Sequence, residues 1–241
     1  MVNMELFHSL KRVIYLSKLD FPTFERRPPS RNKRITIDTN QSNIIKQFSL
    51  NITDIREKET VYNHFKSNGD DTHADDILRF QIMFLSSTLD FYMHEITKDS
   101  ILKMYSKEKE KSKFYETIMI SLESVEILRD TPDSVEWLEE EMIHRESFKS
   151  YQSTNNIRKC LAMNSKKTIW KIASDYFEGK GISIKDHLTE LYEKRNRIAH
   201  QSDREPITRI KYAIEHNFVK EKIDIIEEFV NIIHNELKSD N

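Results

Sequence analysis

ISIKDHLTELYEKRNRIAHQ, residues 182–201, is the stretch whose reading decides the fold. It reads as a helix that starts near Ser183. At about 100° per residue, Ile184, Leu188, Leu191, Ile198 and Ala199 fall on one apolar stripe. Arg195 falls in the middle of that stripe. An unpaired buried guanidinium is costly, so Arg195 is expected to have a paired or functional environment. Asn196 and His200 lie four residues apart and are neighbours on the edge of the stripe. The helix therefore presents a permanent cation, an amide and an imidazole beside its buried face. That set suits phosphate chemistry.

Composition narrows the choices around this helix. The 241 residues suffice for one large domain, or for one domain with an extension. With 3 Gly and 5 Pro against 32% charged residues, the chain favours helices over sandwiches or barrels. Gly179 and Gly181 are its only close glycine pair, which excludes a Walker loop and a dinucleotide fingerprint. The single Cys160 excludes a disulfide framework and a multi-cysteine zinc site, and reads as a small packed residue. A net charge of −2 gives no global basic signature, so any nucleic-acid contact must be local. No apolar run approaches the roughly 18 residues needed to cross a bilayer. The N-terminus lacks a secretory pattern. A cytoplasmic protein without a membrane partner is the expectation.

Along the chain, residues 5–19 read as an amphipathic helix with Leu6, Leu10, Val13, Tyr15 and Leu16 on its apolar face, broken at Phe21-Pro22. The stretch ERRPPSRNKR carries Arg26, Arg27, Arg31, Lys33 and Arg34; it reads as a solvated loop, or as a grip on RNA phosphates. RITIDTN follows as a short strand or extended linker. Residues 44–66 look helical, and Asn68-Gly69 marks a turn. Asp70, Asp71, His73, Asp75 and Asp76 resemble a cation site on paper, yet acidic residues at a helix N-terminus need only the helix dipole as explanation.

A long helix is expected over residues 77–105, with Leu78, Ile82, Leu85, Leu89 and Ile96 on one face and Asp90 and His94 one turn apart at its edge. Residues 107–113 read as solvated and 114–129 as one helix. Asp133 or Ser134 is placed to cap the next helix, SVEWLEEEMIHRESF. NIRKCLAM and KKTIWKIASDYF are further helical segments. After His200, QSDREP reads as a stop and restart, with Pro206 in a new first turn. The last helix carries Val219, Ile223, Ile226, Val230, Ile233 and Leu237, and a second stripe of Ile225, Phe229 and Ile232 marks it as deeply buried.

Arginine, four residues, then histidine, with a polar residue directly after the arginine, resembles the signature of the HEPN superfamily. HLTELYEKRNRIAHQ has its apolar-then-RN-then-iaH layout. SFKSYQSTNNIRKCLAM and LSSTLDFYMHEI resemble the RiboL-PSP type of HEPN domain. The resemblance covers residues 75–241 and leaves residues 1–74 as an N-terminal extension. It implies an all-α, HEPN-like helical bundle acting as a metal-independent endoribonuclease without cofactors, usually as a homodimer. By the same resemblance Arg195 and His200 form the catalytic pair, Asn196 is their polar companion, and the biological setting is a toxin or phage-defence effector with a cognate inhibitor or defence partner.

The chemistry fits these residue types. The RNA 2′-hydroxyl attacks its neighbouring phosphate once a base takes its proton, and an imidazole with an ordinary pKa of roughly 6.5 suits that transfer or protonation of the leaving oxygen. A guanidinium stabilises the charge that builds on phosphorus. Residues five apart on a helix lie roughly 140° apart around the axis. Either the helix ends near His200, or a second subunit brings its own pair across a shared groove; the second arrangement is the expectation. Arg195 should also need an acid, with Asp90 first and Glu95 second. His94 would support the groove or be structural. Arg197 would hold phosphate or be solvated, and Tyr192 would stack on a base or be an ordinary half-buried tyrosine. A non-catalytic HEPN-like module for dimerisation, RNA or protein binding is the alternative to the enzyme.

Overall fold

Gln41–Ser67 (α1) and Asp71–Tyr105 (α2) are the two longest helices, and they pack against each other across the turn at Asn68-Gly69. Gly69 adopts φ +73°, a left-handed conformation that glycine enters without strain. Asp70 caps α2, its side chain accepting from the His73 amide at 3.2 Å. This computed structural model describes residues 41–132, 134–146 and 148–239, all within one compact unit, Asp38–Asn241. The expected 5–19 helix, the basic Arg26–Arg34 stretch, RITIDTN and the Asp133 cap lie outside the described residues.

The remaining helices follow in order: Leu122–Asp130 (α3), Glu136–Glu146 (α4), Thr154–Asn164 (α5), Ile169–Glu178 (α6), Ile184–Gln201 (α7) and His216–Lys238 (α8). Among the described residues there is no strand, only an isolated antiparallel bridge between Arg204 and Lys211. The protein is all-α. Ile44, Phe48, Ile52 and Ile55 of α1 meet Leu78, Ile82, Leu85, Leu89 and Ile96 of α2 in one core. Helical spacing puts each set on one face, and α8 closes the core with Val219, Ile223, Ile226, Phe229, Val230, Ile233 and Leu237. Cys160 of α5 is fully buried there beside the Thr97 hydroxyl at 3.0 Å. A smaller cluster of Ile101, Trp137, Leu138 and Met142 ties α4 to the end of α2. No described helix is long and apolar enough to cross a membrane.

Several segments differ from the sequence reading, each for a local reason. Ile44, Phe48, Ile52 and Ile55 of α1 belong to the core, and the compact unit that holds it begins at Asp38, ahead of residue 75. The single helix expected over 114–129 is split: a short 3₁₀ turn at Tyr115–Thr117 gives way to extended backbone at Ile118, and α3 starts only after Ser121, whose hydroxyl accepts from the Ser124 amide. The 107–113 segment is solvated as read at Lys107, Glu108, Glu110, Lys111 and Lys113, whereas Lys109 and Ser112 are buried. Pro206 starts no helix; residues 202–215 form an irregular return, and α8 begins at His216. The acidic group ahead of α2 is spent on capping and ion pairs. Asp71 pairs with Lys66 at 2.7 Å, and Asp76 with Lys211 at 2.6 Å.

His234 carries a pH dependence into this core. Its Nδ1 lies 3.2 Å from the hydroxyl of the fully buried Tyr92. Burial, helped by Lys238 and Lys103, pushes the imidazole below the ordinary histidine value of 6.5. Burial likewise pushes the Tyr92 phenol up, so it stays protonated beside the ring. Well above pH 6.5 the ring is neutral in both states and makes no difference to stability. As pH falls below that value the unfolded chain takes the proton first, so stability declines until the folded ring also titrates. Urea unfolding between pH 7.5 and pH 5 should show this decline, and His234→Gln should flatten it.

Candidate functional site at the end of α7

The Ser183 hydroxyl caps α7, accepting from the Asp186 amide at 3.3 Å, and Ile184, Leu188 and Leu191 point into the core. The next buried residue on this helix is Lys194, at 4% exposure, rather than Arg195. Arg195 is half-buried at the rim, Ile198 is partly buried, and Ala199 and His200 are exposed. The stripe ends early because the last turns of α7 run past the core. The 202–215 return folds back over the neighbouring face and covers Lys194 instead.

That return is locked from inside by Asp203. Ser202 and Asp203 take left-handed conformations at φ 51° and 52°, and the Asp203 amide donates to the Arg197 carbonyl at 2.9 Å, ending the helix. The reversal drives the Asp203 side chain to complete burial. Its Oδ2 accepts from Lys194 Nζ at 2.8 Å and from Arg79 Nε of α2 at 3.0 Å. Arg79 Nη2 also donates to the Tyr212 carbonyl at 2.6 Å, and the Tyr212 amide returns to the Asp203 carbonyl at 2.8 Å. Burial pushes the Lys194 ammonium below its usual value, and Asp203 partly restores it. One carboxylate thus fixes α7, α2 and the return together.

Above this lock lies an open groove of about 920 Å³. Arg195, Asn196, Arg197 and His200 line one side, with Tyr192 and Glu193 one turn earlier. Asp90 of α2 and Ser150 and Gln152 line the rest. Arg195 Nη1 donates to Asn196 Oδ1 at 3.0 Å, leaving the Asn196 Nδ2 group available as a donor. Arg195 and His200 therefore share one groove within a single chain. Both residues lie within α7, which ends at Gln201, so they still diverge by roughly 140° around the axis, and it is the reach of their side chains that brings both to the groove.

The acid expected for Arg195 is committed elsewhere. Asp90 Oδ1 accepts from the Tyr151 amide at 2.5 Å, and Oδ2 lies 3.4 Å from Gln152 Nε2. Asp90 thus pins the segment that leads into α5 to the wall of the groove. Glu95 pairs with Lys98 at 3.0 Å. His94 lies 3.7 Å from Asp90 and packs against the Tyr151 ring, behind the groove rather than in its lining. Sequence reasoning missed Asp203, Arg79 and Lys194. Their partners are up to 133 positions apart, and Asp203 reads in sequence as one more polar residue of a helix stop.

A gly-poor helical bundle whose Arg-Asn-x-x-x-His helix end borders an open groove has the layout of a HEPN-type domain. The RiboL-PSP-HEPN family model matches residues 49–239. The chain belongs to that family. Neither the curated proteins nor the solved structures supplied a match. Removing the Asp203 carboxylate would leave Arg79 and Lys194 as uncompensated buried cations. Asp203→Ala should lose about 3–5 kcal/mol of stability in urea titration, far more than Asp90→Ala at the partly exposed groove wall.

Proposed function

We propose that the groove is the active site of a metal-independent endoribonuclease. The observation that carries this reading is the gathering of Arg195, Asn196 and His200 along one groove in a chain of the RiboL-PSP-HEPN family. His200 takes the proton of the RNA 2′-hydroxyl, whose oxygen forms the new bond to phosphorus as the bond to the 5′-oxygen breaks. The leaving oxygen then receives a proton, and the products end in a 2′,3′-cyclic phosphate and a 5′-hydroxyl. Arg195 faces the non-bridging oxygens as negative charge builds on them. Asn196 holds the guanidinium through its Oδ1, which limits the orientations Arg195 samples. A toxin or phage-defence role, with an inhibitor to restrain it, rests on resemblance alone.

A homodimer is part of the proposal. Phe80, Phe84 and Phe91 are 41%, 45% and 41% exposed on α2, the helix whose Asp90 lines the groove. Helical spacing puts all three within about 40° of one another, on a face roughly 100° around α2 from Asp90. Three exposed phenylalanines on one helix face are an association surface. The same face would serve a non-catalytic module that only binds a partner, so the assay must separate turnover from association.

Arg195→Ala and His200→Ala should each abolish RNA cleavage while leaving circular dichroism and the association state unchanged. Cleavage by the unaltered protein should persist in EDTA and yield 2′,3′-cyclic ends. Cleavage that appears only with added divalent metal would defeat the mechanism, and RNA retention without any cleavage would favour the binding module. In sedimentation experiments Phe84→Glu should shift the protein to monomer.

A further inference from the structure

Arg197 is placed differently from Arg195. It lines the groove with 43% of its side chain exposed, and two contacts set its orientation. Its guanidinium lies over the Tyr212 ring, 5.0 Å from the centroid. Its Nε faces Asp203 Oδ1 at 3.7 Å, beyond hydrogen-bond length. Neither of these two atoms has a hydrogen-bond partner, although Asp203 is completely buried. Here both contacts leave the two Nη groups uncommitted, and a free pair of Nη donors is the fork that binds phosphate oxygens.

Charge points the same way. Around the lock sit four cations, Arg79, Lys194, Arg197 and Lys211, against the carboxylates of Asp203, Asp76 and, more distantly, Asp75. Asp203 Oδ2 already serves Arg79 and Lys194. Arg197 is the cation at the groove end of this set and neighbours Arg195; Asp90 and Glu193 also line the groove, so the pull on an anion is local to the two arginines.

We propose that Arg197, held by Tyr212 and Asp203, forms a second phosphate subsite that takes a phosphodiester flanking the one at Arg195 and His200 in single-stranded RNA. The proposal deepens the ribonuclease reading and rests on it for the identity of the ligand. Tyr212 and Asp203 are positioning residues in it. Arg197 is the group that touches substrate.

The test measures binding of a 2′-O-methyl RNA 12-mer, which lacks the attacking hydroxyl, to the 241-residue chain carrying His200→Ala. For single strands each neutralised phosphate adds roughly 0.7 to the slope of log affinity against log salt. Adding Arg197→Gln should lower that slope by roughly 0.7 and weaken binding about tenfold at moderate salt. Arg197→Lys should keep the slope while losing part of the affinity, because charge remains and the fork is gone. Tyr212→Leu should also keep the slope and weaken binding. An unchanged slope in a folded Arg197→Gln protein overturns the subsite, as does a 12-mer that fails to bind at all. If the slope changes as expected and the unaltered protein cuts no RNA, the subsite stands and the nuclease reading falls. If RNA is cut and Arg197→Gln changes neither slope nor KM, the subsite falls alone.

Discussion

The buried carboxylate of Asp203, shared by Arg79 and Lys194, is the constraint on which the groove depends. Burying three charges is expensive unless each finds its counterpart at short range, and these three meet at 2.8 and 3.0 Å. The arrangement therefore tolerates few alternatives. α7 must end where Asp203 can turn inward, and the return must run back across Lys194. Arg79 on α2 must stand opposite. Once those three conditions hold, the positions of Arg195, Asn196, Arg197 and His200 follow from helical geometry. The last turns of α7 rest against little of the apolar core, so the ionic lock does there what packing does elsewhere in the bundle.

Much of the architecture was legible because it rests on periodicity. The apolar positions of α2 and α8 recur at three- and four-residue steps, and they are the core positions observed. The RNRIAH helix was recognisable for the same reason, together with its order of polar groups. Its burial pattern was harder to read. From spacing alone Arg195 belongs on the stripe; only the fold-back of residues 202–215 makes Lys194 the buried cation. Asp90 has a similar history. Its position beside the groove follows from the α2 pattern, whereas its attachment to the Tyr151 amide depends on a loop that periodicity does not reach. Irregular segments, where partners are far apart in sequence, are where the reading ran out.

The groove is also held in two ways. Arg195 is oriented by the side chain of its own neighbour, Asn196. Asp90 and the segment ahead of α5 form a wall held by a backbone amide. Such a mixture suits a substrate whose backbone must be held firmly while one phosphate changes geometry.

The lone Cys160 offers a consequence of a different kind. Its sulfur is sealed in the centre of the bundle, against the Thr97 hydroxyl and 3.6 Å from the Met93 carbonyl. No reagent reaches that thiol without parting α5 from α2. With a single cysteine in the sequence, any alkylation signal comes from that one place. The molecule thus carries a built-in timer of its own breathing: the rate of thiol labelling in native buffer counts how often the bundle opens.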